Sequence, residues 1–263
     1  MEDMDMTKNY FDLTGRVAVI TGCSTGLGVQ MAEALASQGC SIVCLARRQE
    51  NVNANAAMLT EKYGVNAIGV VCDVTDTDRV EAAVDEILEK MGRIDILINN
   101  AGTGGVVAAE DMPDATFSNE VNIDLFGTFK MARAIAKKAM IPAGYGRIIN
   151  IASMYGLVGN NIAPSSAYHA AKGGVVNLTR ALAAEWGSKG ICVNAICPGY
   201  FETPLTKETL QTEFFQNYAR TMIPEARYGQ EGELDTAAIF LSSPASTYVN
   251  GVILPVDGGY TCM

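Results

Sequence analysis

Tyr168 and Lys172 stand four residues apart at the end of the stretch Ser153 to Lys172, SMYGLVGNNIAPSSAYHAAK. On a helix, positions i and i+4 share a face, so this spacing sets a phenol beside an ammonium. A nearby cation favours phenolate over phenol and brings a hydroxyl that ionises at about pH 10 when free towards neutrality, where a general acid or base works best. The chemistry on offer is proton transfer. The same spacing is common on solvated helix faces, so the pair gains meaning only from what the rest of the chain places around it.

The chain has 263 residues, 49% of them hydrophobic, enough core for one large α/β domain or two small ones. No apolar run reaches the roughly 18 to 20 residues of a membrane span. The opening MEDMDMTKNYF is acidic and lacks the basic start and apolar centre of a secretory signal, so a cytoplasmic protein is expected. A formal charge of −10 argues against nucleic acid and anionic lipid as partners, and any phosphate on a ligand must be bound locally. Seven cysteines carry no C-x-x-C pair, and Cys44, Cys72, Cys192 and Cys197 fall in or beside apolar runs, as buried free thiols do. His169 is the sole histidine, which excludes a histidine-rich metal site and allows a Ser-His-Asp triad only if that residue serves. One position along a helix from Tyr168 it points about 100° away, so packing or a subunit contact is expected of it.

The elements that must position the pair repeat one unit. Arg16 to Ile20 (RVAVI) reads as a buried parallel strand, broken at Thr21-Gly22; TGCSTGLG follows, with Gly22, Gly26 and Gly28, and then a helical VQMAEALASQG. Between strand and helix, glycines let the backbone approach a pyrophosphate while the helix N-terminus supplies amides; a plain turn is the alternative. A second strand, Ser41 to Leu45, is followed by Ala46 where an acid would hold the ribose hydroxyls of NAD. Arg47 and Arg48 come next, either gripping a 2′-phosphate or simply solvated, and the lost acid and gained bases together lean towards NADP. Ala67 to Val71 leads to Asp73 and Val74, with Asp73 at the adenine or capping a helix from Thr75. A helix from about Asp78 to Met91 and a strand Ile94 to Asn99 follow, running into Asn100-Ala101-Gly102. Strands alternating with helices and ending in ligand-like residues predict a doubly wound parallel sheet with its site at the carboxyl edge.

Thr116 to Lys138 has helical spacing, with Asn122 inside the apolar VNIDLFGTF, where it either caps a distortion or serves the site. Gly146 to Ala152 is a fifth strand delivering Ser153, and a helix from about Ser165 to Ser188 carries Tyr168 and Lys172. A sixth strand, Ile191 to Cys197, stops at Pro198-Gly199. Residues 199–230 are mixed in polarity and read as a mobile flap over the site. A helix Glu231 to Leu241 and a strand Val252 to Val256 complete the chain. The expectation is an α/β, Rossmann-type doubly wound parallel sheet of about seven strands. It forms a single domain over 13–263, behind an arm of residues 1–12.

From Leu13 to Tyr260 the chain resembles the short-chain dehydrogenase/reductase family. The resemblance rests on TGxxxGxG at Thr21 to Gly28, Asn-Asn-Ala-Gly at Asn99 to Gly102, Asn122, Ser153, Tyr168-x-x-x-Lys172, Pro198-Gly199 and Val256-Asp257-Gly258-Gly259. It implies hydride transfer between a nicotinamide cofactor and a carbinol carbon, with a catalytic tetrad at Asn122, Ser153, Tyr168 and Lys172. Tyr168 would exchange the proton, Ser153 would hydrogen-bond the substrate oxygen, and Lys172 would assist the tyrosine and hold the nicotinamide ribose; Asn122 would fix a helix distortion and a water. The implied cofactor site takes in Gly22, Ser24, Thr25, Gly26, Leu27 and Gly28, then Arg47 and Arg48, with Asp73 and Val74 at the adenine. Asn99, Ala101, Gly102, Pro198 and Gly199 line it further, and Thr203 meets the carboxamide. NADP(H) is favoured, with NAD(H) the alternative, and no metal is implied. Thr25 is not the basic residue of many NADP-preferring members, which leaves the phosphate to Arg47 and Arg48. The Ser153 to Tyr168 interval exceeds the common family spacing, so the loop GNNIAPSSA is expected to shape specificity.

Thr103, Gly104, Met154, Tyr155, Tyr200 and Phe201 are the residues expected around the substrate. PGYFETPLTKETL and YVNGVILPVDGG resemble members that oxidise polyols or sugar acids such as gluconate. The absence of an obvious cation among the six suits a flat apolar ligand, a steroid or bile acid, as the alternative, with a 3-oxoacyl thioester third. A polyol or sugar-derived substrate is placed first. An intact tetrad counts against a non-catalytic nucleotide sensor, and the short stretch from Gly199 to Asn250 against an epimerase with a larger substrate domain. The resemblance also implies a homo-oligomer, dimer or tetramer, which the apolar tail VILPVDGGYTCM would suit.

Overall fold

Successive side chains of a strand point to opposite faces of its sheet, and a strand covered on both sides is apolar throughout. That is the pattern of β1 (Val17–Thr21), in which all five residues are buried. Val17 and Val19 enter one core cluster, Ala18 and Ile20 the other. In this computed structural model, which describes residues 9–204 and 206–263, six more strands join it. They are β2 (Ser41–Ala46), β3 (Ala67–Val71), β4 (Ile96–Asn99), β5 (Gly146–Ile151), β6 (Ile191–Pro198) and β7 (Ile253–Val256). The order is β3-β2-β1-β4-β5-β6-β7 and every neighbouring pair is parallel. The chain reverses direction across the sheet between β1 and β4, which opens a crevice at their carboxyl ends.

Helices cover both faces, as parallel strands require of their crossovers. α1 (Leu27–Ser37), α2 (Gln49–Tyr63) and α10 (Asp235–Ser242) pack on one face, while α3 (Thr77–Met91), α5 (Gly127–Ile135) and α7 (Ser166–Trp186) pack on the other. At the amino edge Asp95, 3% exposed, accepts from Arg16 Nη1 at 2.9 Å and from Val17 N at 3.0 Å, tying the start of β1 to the approach of β4. No helix among the described residues is long and apolar enough to cross a membrane.

The helix expected over 116–138 extends further and is not uniform. α4 (Asp114–Val121) passes through a π turn, Asn122–Phe126, into α5, and a second π turn, Ala136–Met140, leads to α6 (Ile141–Ala143). The segment 199–230 is also more ordered than its mixed polarity suggested. It holds α8 (Lys207–Leu210) and α9 (Glu213–Met222), whose Leu210, Phe215, Ala219 and Ile223 form a small core of their own against Tyr200, Tyr218, Tyr228 and Tyr260. The last helix begins at Asp235 rather than at Glu231. Of the N-terminal arm, residues 1–8 lie outside the described residues.

Candidate active site

The carboxyl ends of β1 and β4 are stitched together on either side of the crevice. Thr21 Oγ1 accepts from the backbone N–H of both Asn100 and Ala101 at 2.9 Å, and Asn100 Nδ2 donates to Thr21 O at 3.0 Å. The glycine loop lies flat against this seam. A Cβ on Gly22 would stand 2.8 Å from Asn100 Nδ2, and one on Gly28 would stand 2.7 Å from Gly22 O, so neither position has room for a side chain. Gly22 and Gly26 also hold φ of +67° and +65°, where glycine is favoured. α1 then starts with no capping side chain and no acidic residue in its first turn, which leaves its N-terminal amides open to an anion. From α2, Asn55 Nδ2 donates to Cys23 O at 2.9 Å and to Ser24 O at 3.3 Å; Arg48 Nη2 reaches Ser24 Oγ at 3.5 Å. Thr203 stands over the loop, its Cβ 3.5 Å from where a Gly26 Cβ would be. The cradle fits the pyrophosphate of a dinucleotide. Beyond it, exposed Arg47 makes no ion pair with a described residue.

Asp73, at the end of β3, accepts from Thr75 N at 2.9 Å and Thr75 Oγ1 at 2.7 Å. Burial opposes its ionisation, but these bonds and the charges of Arg47 and Lys130 together outweigh that and hold its carboxyl below the usual range. α3 is capped by Asp76, which accepts from Asp78 N and Arg79 N, so Asp73 forms a tight turn ahead of the helix.

β5 delivers Ser153 and α7 delivers Tyr168 and Lys172 to one place. Ser153 Oγ accepts from Tyr155 N at 3.1 Å, which leaves its proton to donate. Tyr168 is half-buried, and its hydroxyl hydrogen-bonds to no described residue. One turn later Lys172, 4% exposed, donates to Ile151 O at 3.0 Å, with Nζ 5.6 Å from the Tyr168 ring centre. Gly104 lies against that ring, since a Cβ there would be 3.2 Å from Tyr168 Cδ2. A free phenol, a hydroxyl donor and a buried ammonium meet where the glycine loop opens, an arrangement for exchanging a proton with an oxygen next to a bound dinucleotide.

A family model described as enoyl-(acyl carrier protein) reductase matches residues 22–261. The chain belongs to the short-chain dehydrogenase/reductase family. It is an oxidoreductase acting on alcohols and ketones. It is 40% identical to the gluconate 5-dehydrogenase of Gluconobacter oxydans (strain 621H) over 254 residues, 96% of this chain and 97% of that protein. With the galactitol 2-dehydrogenase (L-tagatose-forming) of Cereibacter sphaeroides it shares 38% identity, covering 97% and 98% of the two chains. A gluconate 5-dehydrogenase from Burkholderia cenocepacia J2315, solved in complex with NADP and tartrate, superposes with a TM-score of 0.92 at 38% identity, covering 97% and 98%.

Within this short-chain dehydrogenase the expected residues fall into two groups. Ser153, Tyr168, Lys172, the glycine loop, Gly102 and Thr203 gather around the crevice, while Gly199 packs against Asp257. Asn122 and Lys172 share no hydrogen bond. The Asn122 carbonyl takes the Gly127 N–H that closes the π turn, which is the distortion anticipated, but its side-chain amide has no partner among the described residues. The side chain that meets Lys172 is Asp124, fully buried, with Oδ2 at 3.6 Å from Nζ and Oδ1 accepting from Thr103 N at 2.7 Å. Burial pushes its carboxyl above the usual range, while Lys172 and the Thr103 N–H pull it back. Asn99 likewise turns into the sheet, donating to Asn150 Oδ1 at 3.0 Å and Thr128 O at 3.3 Å, and it is Asn100 that touches the loop. The Val74 side chain is spent on packing against Gly127, where a Cβ would approach to 2.7 Å.

Met154 and Phe201 are buried, Phe201 in the core cluster beneath α10, so neither side chain is open to a ligand. Tyr155 and Tyr200 are joined by a hydrogen bond between their hydroxyls, with Tyr155 stacked on His169 at 4.6 Å. Burial pushes the Tyr155 phenol up to about 12, and that of Tyr200 higher still. Both stay neutral near pH 7, which rules them out as bases there. His169, whose Nδ1 bonds Ser165 O at 2.8 Å, packs as expected.

Proposed function

We propose that the chain interconverts a secondary hydroxyl of a polyol or sugar acid and the corresponding ketone, using NADP(H). The observation that carries this is the Tyr168 hydroxyl, without a hydrogen-bond partner among the described residues, set over buried Lys172 and beside the Ser153 donor. Tyr168 takes the proton from the alcohol in oxidation and returns it in reduction, Ser153 donates to the same oxygen, and Lys172 keeps a positive charge beside the phenol. The bound nicotinamide accepts or supplies the hydride. The half-buried seam from Thr21 to Ala101 holds the glycine loop for its pyrophosphate, with Thr203 above.

The relatives named gluconate 5-dehydrogenase and galactitol 2-dehydrogenase, similar along their full length, favour a hydroxyl-rich substrate. The linked phenols of Tyr155 and Tyr200 offer such a substrate donors and acceptors beside Tyr168. Preference for NADP follows from Arg47, exposed and without an ion-pair partner among the described residues, after a β2 end that lacks an acid. A homo-oligomer agrees with the exposed Phe126 on the long helix and Tyr248 before β7. Initial rates with NADP and with NAD test this against hexitols, tetritols, gluconate-type acids, hydroxysteroids and 3-oxoacyl thioesters. Highest kcat/KM on a polyol or sugar acid with NADP is expected. Faster turnover of a steroid or a thioester would overturn the substrate assignment.

A further inference from the structure

Asp124 is a carboxylate with no exposed surface, and its Oδ2 has no hydrogen-bond partner among the described residues. What faces it is the ammonium of Lys172, 3.6 Å away. We propose that Asp124 is a positioning residue for Lys172, taking up part of the lysine's charge so that Tyr168 keeps its proton to higher pH than a neutral side chain at position 124 would allow. The proposal rests on the reading of Tyr168 as the proton-exchanging group.

The geometry fixes this contact closely. The π turn Asn122–Phe126 points Asp124 inward, the Thr103 N–H holds Oδ1 at 2.7 Å, and Gly102 closes over the pair. A Cβ at Gly102 would lie 3.1 Å from Asp124 Oδ1 and 3.3 Å from Lys172 Nζ, so Gly102 packs directly against both groups. Out of water, an ammonium set between a carboxylate and a phenol acts on both. The carboxylate's negative charge opposes the formation of a second negative charge on the phenol, offsetting part of what the lysine contributes.

The other titratable groups around the pair come from three elements. Tyr168 stands beside Lys172 on α7. Glu120, four residues before Asp124 on α4, is buried with Oε2 unpartnered; burial first, then the nearby Asp124, raises its carboxyl. Cys197 on β6 faces the lysine, and burial pushes its thiol up to about 11, so it is neutral. The loop from Gly102 to Gly105 contributes no charge. Glu120 is therefore a second, more distant source of the same opposing field.

The test is a pH titration of the Tyr168 phenolate by ultraviolet difference absorbance, subtracting the Y168F counterpart, in the wild-type, D124N and E120Q backgrounds. In D124N the midpoint is expected about one pH unit lower, within the range that single charges at this distance produce. In E120Q it moves the same way by less, and this variant carries the test should D124N fail to fold. Midpoints that stay in place or move up in the folded variants overturn the proposal. Turnover by Y168F is measured in parallel, because retained activity there removes the reading of Tyr168, whatever the titrations show.

Discussion

Asp124 Oδ2 stands 3.6 Å from Lys172 Nζ, both groups buried, where the π turn after α4 meets α7. Removing one member of a buried ion pair leaves the other uncompensated, at a cost on the order of 3 to 5 kcal/mol. Lys172→Met should stop turnover and lower the melting temperature, with the loss shrinking towards acid pH as Asp124 takes up a proton. Combining it with Asp124→Leu should recover most of the stability and none of the turnover. Thermal melts at two pH values check this; a single variant as stable as the wild type at pH 8 would contradict the pairing.

Arg47 leaves the end of β2 exposed, without an ion-pair partner among the described residues, and its charge is felt at Asp73. Arg47→Ala should raise the KM for NADP at least about tenfold, the cost of a lost charged hydrogen bond to a phosphate, while the KM for NAD changes little. Steady-state kinetics with both cofactors decide it. Equal effects on the two would remove the phosphate role.

Asp235, in the first turn of α10, has one oxygen buried without a hydrogen-bond partner among the described residues. Burial, then the nearby Glu33 and Glu231, pushes its carboxyl up to about 6. A carboxyl raised on folding binds more protons in the folded than in the unfolded state, so its contribution to stability falls as pH rises from about 4 to about 6 and stays unfavourable above. Asp235→Asn should therefore raise the melting temperature at pH 8, by about 2 to 4 °C, and leave it nearly unchanged at pH 4. Equal shifts at both pH values would show that the charge is not the cause.

The strands were legible because parallel strands buried on both faces are apolar throughout and stop at small or polar residues; AIGVV coincides with β3 residue for residue. Ser153, Tyr168 and Lys172 were legible because a strand end and one helix turn suffice to bring them together. Asn122 and Asp124 could not be told apart in the same way. Two positions along a helix differ by about 200° around its axis, and the extra residue of a π turn shifts that phase, so periodicity does not reveal which polar side chain faces the lysine. The signal the sequence does carry is a carboxylate, Asp124, inside the same apolar run. Asn99 and Asn100 divide similarly, since adjacent strand residues face opposite sides. α9 escaped notice because its partners are remote in sequence: Tyr218 bonds Tyr260, 42 residues on.

The central claim is that the Tyr168 hydroxyl exchanges the proton while the glycine cradle binds the cofactor independently. Tyr168→Phe removes that oxygen and leaves the loop from Thr21 to Gly28 untouched. Turnover of the best alcohol from the substrate panel, measured alongside NADPH binding by fluorescence titration, should fall by at least about 100-fold with the dissociation constant within a few-fold of the wild type. Turnover retained with NADPH still bound would contradict the account.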